Sequence, residues 1–259
     1  MPTENLVQFV GKSKLWSNAD RSIVLVRGDC FALLPRLAGA KIDCVATDPP
    51  YGCTDNPWDR APQLDRWWEL VLPTVKSAAV FAMFCQQPFT TALICSNRKR
   101  WRYELVWHKP RATGFLNSRS KPLRCHEHIQ LFCDRPSQAT YNPQMTEGKP
   151  YKCKRRNAST NYGRMKPGYV SESKGGRYPR SVLEFANPLH RAGHPTQKPL
   201  ALVEWIIRTF SNPGDLVLDP YMGSGTTAEA CLRTGRRFIG IEQEERYFDM
   251  ARERLKSIT

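Results

Sequence analysis

Leu216-Val217-Leu218-Asp219-Pro220-Tyr221-Met222-Gly223-Ser224-Gly225-Thr226-Thr227 is the stretch that decides the fold. Three apolar residues closed by an acid read as a buried strand over Asp215 to Asp219. The glycine-bearing turn after it opens a helix over Ser224 to Arg233. A further strand follows, Arg237 to Glu242, and Glu242 closes it. Glycines let the main chain approach a ligand, and an acid ending the next strand accepts hydrogen bonds from ribose hydroxyls. The pattern therefore predicts an adenosine site. Gly223-Ser224-Gly225-Thr226-Thr227-Ala228 also fits a dinucleotide fingerprint, although such a site would want no acid as close to the pyrophosphate as Asp219.

The surrounding chain repeats the same alternation. Ser22 to Val26 is a short apolar strand ending at Gly28-Asp29, and Ile42 to Thr47 is another. Leu64 to Val75 carries apolar residues at helical spacing, while Ala78 to Cys85, Tyr103 to Trp107 and His128 to Cys133 read as strands. Leu200 to Phe210 reads as a helix started by Pro199 and stopped by Asn212-Pro213-Gly214. Glu244 to Leu255 is the last helix. Strands alternating with helices predict an α/β fold, a Rossmann-like and mostly parallel sheet with helices on both faces. Ser77 to Asn97 is uncharged, but Gln86-Gln87-Pro88 interrupts it. A strand, a turn and a helix is the expectation there, not a membrane span.

Composition narrows the partner. The 259 residues carry a formal net charge of +15, with 39 Lys and Arg against 24 Asp and Glu. That excess points to a polyanion, nucleic acid first, with a merely soluble basic protein as the plain alternative. The charge is concentrated mid-chain. Lys149 to Arg180 holds ten Lys or Arg against one acid, Glu172, with little apolar periodicity. It reads as an irregular basic insertion and not as sheet. Arg111, Lys121 and Arg124 before it, and Lys152, Lys154, Arg155, Arg156 and Arg164 within it, are the candidate phosphate contacts. The nine Cys residues lack framework spacing, which favours free thiols in a reducing compartment. The N-terminus shows no signal-peptide pattern. Cys125-His126-Glu127-His128 with Cys133 invites a zinc reading. On a strand, however, His126 and His128 share one face while the two Cys point to the other, so no metal site is expected.

Asp48-Pro49-Pro50-Tyr51 closes the Ile42 to Thr47 strand. It gathers a carboxylate, a free carbonyl and an aromatic ring within one turn. Those parts suit a planar exocyclic amine. Two acceptors on its hydrogens push the nitrogen toward a pyramidal nucleophile, and a ring stacks on its base. An ordinary strand-ending turn is the plain alternative.

Together these motifs resemble the N4-cytosine/N6-adenine DNA amino-methyltransferases in their permuted, beta order. The catalytic tetrapeptide Asp48 to Tyr51 comes first. The basic region, His194-Pro195-Thr196-Gln197-Lys198-Pro199, the Asp219 to Thr227 loop and Glu242 follow in turn. The resemblance spans residues 22 to 255. It implies an S-adenosylmethionine-dependent methyltransferase fold and a cofactor held by Asp29, Cys30, Asp48, Thr196, Gln197, Lys198, Asp219, Tyr221, Gly223, Ser224, Gly225, Thr226 and Glu242. Within that set, Thr196, Gln197 and Lys198 are expected at the methionine carboxylate. Asp48, Pro49, Pro50 and Tyr51 would act on a base flipped out of DNA. Asp in place of the Ser usual in cytosine enzymes favours adenine N6. The expected division is a catalytic domain over 20–135 and 190–259 and a target-recognition insertion over 136–189. DNA is the expected partner, with a second copy of the chain and a cognate restriction endonuclease also offered by the family. The expected setting is the cytoplasm of a bacterium or phage-infected cell. N4-cytosine or RNA methylation, a DNA-binding module with a non-catalytic pocket, and a nicotinamide oxidoreductase are the competing readings.

Overall fold

The computed structural model describes residues 14–154, 168–187 and 197–258. They fall into two compact units, Pro143–Arg180 being the smaller.

The larger unit is built on a sheet of nine strands among the described residues. In chain order these are β1 (Leu15–Ser17), β2 (Ile23–Arg27), β3 (Ile42–Thr47), β4 (Val75–Cys85), β5 (Trp101–Thr113), β6 (Arg124–Phe132), β11 (Val182–Glu184), β12 (Leu216–Asp219) and β13 (Arg237–Glu242), with β7 to β10 in the smaller unit. The spatial order is β1-β2-β13-β12-β3-β4-β6-β5-β11. The five strands from β2 to β4 are mutually parallel. Antiparallel β1 flanks them on one side, and the β5–β6 hairpin on the other.

Helices cover both faces: α1 (Cys30–Leu33), α2 (Leu64–Val71), α3 (Phe89–Ser96), α4 (Leu200–Phe210), α5 (Thr226–Thr234) and α6 (Glu245–Lys256). Strand alternation makes the two cores. Ile23 and Leu25 of β2 pack with Ile206, Phe210, Cys231 and Leu255 on one face. Val24 and Val26 pack with Leu33, Trp67, Val71 and Leu93 on the other. Parallel central strands buried on both sides need near-continuous apolar runs, and β12 and β13 supply them.

Several expected bounds shift. The helix expected to reach Val75 ends at Val71, because Pro73 lies in a 3-10 turn, Leu72–Thr74, and cannot continue the ladder. β5 runs to Thr113 instead of stopping at Trp107, through Lys109-Pro110-Arg111. The basic insertion is not irregular throughout. In the smaller unit β7 (Thr146–Glu147) pairs with β10 (Gly176–Arg177), and β8 (Tyr151–Lys154) with β9 (Val170–Ser173), all antiparallel. Every residue of β8 is exposed, so no apolar alternation could announce it. β11 belongs to the main sheet, so the expected insertion bounds of 136–189 are wider than the smaller unit.

The order fixes where a ligand sits. From β12 the chain crosses to β13 on one side, and from β3 to β4 on the other. The gap between β12 and β3 is therefore the topological switch point, and the crevice lies outside the strands' C-terminal ends.

Candidate active site

The crevice is a cleft of about 1320 Å³, larger than the ~300–1,000 Å³ usual for one small ligand. Asp29, Cys30, Asp219, Tyr221, Gly223 and Ser224 line it, with Thr226 and Glu242. So do Asp48, Pro49, Pro50, Tyr51, Gln197 and Lys198. Gly225 does not. It caps α5 at φ +80°, and a Cβ there would meet the Ala251 Cβ at 2.8 Å. Its lack of a side chain lets α5 pack against α6. Thr196 lies outside the described residues.

Asp219 ends β12 and is buried. Thr47 Oγ1 donates to its Oδ1 at 2.7 Å, Thr227 Oγ1 to its Oδ2 at 2.7 Å, and the Tyr221 N–H to Oδ1 at 3.1 Å. Burial pushes its carboxyl up to about 6 against those three donors. Glu242 ends β13. The Gly223 N–H donates to one of its oxygens and the Glu244 N–H to the other, both at 2.8 Å. Burial lifts this carboxyl to about 7. Asp29 caps α1 through the Phe31 N–H at 3.0 Å, and burial pushes the Cys30 thiol up to about 12. The amide oxygen of Gln197 is buried with no hydrogen-bond partner among the described residues.

The tetrapeptide sits across the cleft at the end of β3. The Asp48 carboxylate accepts from the Tyr51 hydroxyl and from the Lys198 ammonium. Lys198 also lies 3.5 Å from Glu127 Oε2, and the other Glu127 oxygen accepts from Lys109. The result is a chain of alternating charge, Lys109–Glu127–Lys198–Asp48, with both Lys side chains 8% exposed. Burial favours the neutral amine at Lys198, but the Asp48 and Glu127 carboxylates outweigh it and raise its pKa. Burial works likewise against Glu127, and the two ammoniums hold its carboxyl below the ordinary value. At Asp48 burial raises the carboxyl and Lys198 opposes the rise. The resemblance expects Lys198 at a ligand carboxylate; in the structure its partners are protein carboxylates. The Tyr51 ring stacks on Phe89, with centroids 5.6 Å apart and planes 26° apart.

Asp59 fixes the loop after the tetrapeptide. Its Oδ1 accepts the N–H groups of Tyr51 and Gly52, and its Oδ2 accepts those of Cys53 and Thr54 and the Thr54 hydroxyl, all within 2.9 Å. Burial alone would raise this carboxyl; the donors outweigh it and lower its pKa.

Arg111, Lys121 and Arg124 line the outer part of the same cleft. Arg124 donates to the Gln86 side chain. Lys152 and Lys154 are exposed on β8, Lys152 at 3.6 Å from Glu172. Arg155, Arg156 and Arg164 lie outside the described residues. The His126 and His128 rings meet edge to face at 5.2 Å, and His128 Nδ1 is 3.0 Å from Glu104. Glu127 between them points the opposite way, into the cleft. No cluster of three or more metal-type ligands occurs among the described residues.

Sequence reasoning missed Lys109, Glu127, Thr47, Thr227 and Asp59. Only Glu127 carried a local signal, its place between His126 and His128 on a strand, facing the other way.

A family profile described as DNA methylase, for N6 and N4 methyltransferases, matches residues 42–253. The type II methyltransferase M.HinfI of Haemophilus influenzae is 27% identical over 90% of this chain and 68% of its own length. The DNA adenine methyltransferase YhdJ of Escherichia coli is 29% identical over 89% and 82%. The solved complex of M1.HpyAVI with S-adenosylmethionine superposes at a TM-score of 0.62 with 26% identity, covering 90% of this chain and 99% of that one. The cytosine-N4-specific PvuII DNA methyltransferase shares the fold at a TM-score of 0.65 with 16% identity, over 90% and 86%. The Asp48–Tyr51 tetrapeptide and residues of the Asp219–Thr227 loop line one cleft, and the profile covers most of the chain: the protein belongs to the N4-cytosine/N6-adenine DNA methylase family.

Proposed function

We propose that the protein transfers a methyl group from S-adenosylmethionine to the exocyclic N6 of a flipped-out adenine in DNA. The observation that carries this reading is Asp48, held at the cleft by Lys198 and Tyr51 and facing the Asp219–Glu242 half. Asp at that position and the adenine enzyme among the relatives both favour adenine.

The residues present fit the cofactor. Asp219 and Glu242 are acids without an ion-pair partner among the described residues, suited to a sulfonium-bearing nucleoside. Gln197 offers an unmet acceptor. When bound, the cofactor supplies an activated methyl group, so the protein's task is alignment. Asp48 accepts one hydrogen of the amine and the Pro49 carbonyl the other, which localises the nitrogen lone pair. An amine that takes up the methyl group would have one proton to release. The Asp48 carboxylate is placed to accept it, and the Lys198 ammonium favours the ionised form of that carboxylate against burial. Tyr51, backed by Phe89, provides a stacking face worth about 1–3 kcal/mol. Asp59 keeps that ring in place through its backbone.

The unit Pro143–Arg180, with Lys152 and Lys154, is assigned to DNA recognition, supported by its charge. The type II designation of relatives supports a restriction endonuclease partner. No helix among the described residues is long and apolar enough to cross a membrane. Mass spectrometry of nucleosides from methylated DNA is expected to find N6-methyladenine; N4-methylcytosine alone would overturn the assignment.

A further inference from the structure

The β5–β6 hairpin carries a feature that methyl transfer itself does not need. At its tip a short 3-10 helix, Phe115–Asn117, shows two large apolar side chains to solvent, Phe115 at 75% and Leu116 at 84% exposure. Single exposed apolar residues are ordinary. This pair is set in a different context. From Leu105 to His126 the chain has five Lys or Arg and no acid. The Arg111, Arg119 and Lys121 side chains are exposed, with no acidic partner among the described residues. The tip is also an ordered turn. The Asn117, Ser118, Ser120 and Lys121 N–H groups donate to the carbonyls of Gly114, Phe115, Asn117 and Asn117 at 2.9–3.1 Å.

Position links the tip to the chemistry. Trp107, Lys109 and Arg111 line the cleft at period-2 spacing, and the wall continues without a gap from Ala112 through Thr113 and Gly114 to Phe115. At about 3.3 Å per residue the arm from Lys109 to Phe115 spans roughly 20 Å. It therefore reaches from the floor, beside Glu127 and Lys198, to the mouth, where the duplex that yields the base must lie.

We propose that Phe115 and Leu116 form a wedge that enters the base stack beside the target, while Arg111, Arg119 and Lys121 grip the flanking phosphates. Apolar side chains inserted between base steps unstack them and kink the duplex. Here the insertion offsets part of the cost of extruding the base. The proposal rests on the family's action on DNA and is independent of which base takes the methyl.

The experiment compares two duplexes bearing the methylated motif, identified by methylation-aware sequencing of DNA from expressing cells. One is fully paired; the other has an abasic site opposite the target, so the target is already loosened. Single-turnover transfer by a Phe115→Ala, Leu116→Ala double variant is expected to fall about tenfold or more on the paired duplex. It is expected to stay within about threefold of wild type on the loosened one. Wild-type-like S-adenosylmethionine binding by calorimetry reports that the variant is folded. Equal loss on both duplexes, or loss on neither, overturns the wedge. So does loss that follows a dimer-to-monomer change in sedimentation, which would give the tip to a second copy of the chain.

Discussion

The two halves of the cleft handle buried acids in opposite ways. On the tetrapeptide side Asp48 and Glu127 face Lys198 and Lys109, two carboxylates against two ammoniums, and the group is neutral overall. On the glycine-loop side Asp219 and Glu242 are held by hydroxyl and N–H donors alone and form no ion pair among the described residues. Uncompensated burial raises these two carboxyls to about 6 and about 7. The difference fits the proposed assignment, with the base on the tetrapeptide side and the cofactor on the glycine-loop side. A nucleobase is neutral, so its half must be balanced before it arrives. A sulfonium is a cation, and its half is left short of positive charge until it binds.

Removing the acid from the balanced half should have the largest effect. Asp48→Ala deletes the amine's acceptor and leaves Lys198 facing the base. Turnover is expected to drop by about 10²–10⁴ while S-adenosylmethionine affinity, read by calorimetry, stays near wild type. Turnover close to wild type would remove Asp48 from the mechanism and with it the assigned role of this half. Glu127→Gln tests the balance itself. It strips the shared carboxylate from two nearly buried ammoniums, and losing one partner of such a network costs about 3–5 kcal/mol. Urea denaturation should show that loss, and the variant's turnover should fall while cofactor affinity holds. Unchanged stability would mean the chain of charges is solvated and the contrast between the halves is false.

What could be read from the chain follows the same divide. Ile42–Thr47, Leu200–Phe210 and Arg237–Glu242 match the expected bounds residue for residue, because each is a continuous apolar run or an amphipathic helix between proline and glycine stops. The glycine-loop half lies within one βαβ unit, so Asp219, Gly223 and Glu242 are close in sequence and show as a motif. The tetrapeptide half is assembled from four separate segments. Lys109 and Glu127 meet only because β5 and β6 pair in register, and Lys198 arrives from a distant loop. A long β5 was hidden by Lys109-Pro110-Arg111, because a proline between two basic residues breaks the apolar pattern by which a strand is read. Asp59 left no pattern at all, since its five donors are almost all backbone.

The smallest effect tests the unbalanced half without any mutation. Asp219 and Glu242 have raised folded-state values, so between the ordinary carboxylate range and about 7 the folded protein binds more protons than the unfolded chain. Stability of the unliganded protein should therefore fall as pH rises through that window. Cofactor binding should move the other way, because the ionised acids are the form a cation and its ribose hydroxyls prefer. With Glu242 near 7, S-adenosylmethionine affinity is expected to be about tenfold weaker at pH 6 than at pH 8, and Glu242→Gln should flatten that step. S-adenosylhomocysteine separates charge from hydrogen bonding, since it keeps the ribose and loses the positive sulfur. If these acids await a cation, its affinity should change less over the same range. Equal slopes for the two ligands would mean that Asp219 and Glu242 serve as hydrogen-bond acceptors only, and that the missing positive charge on this side of the cleft has no bearing on which ligand it takes.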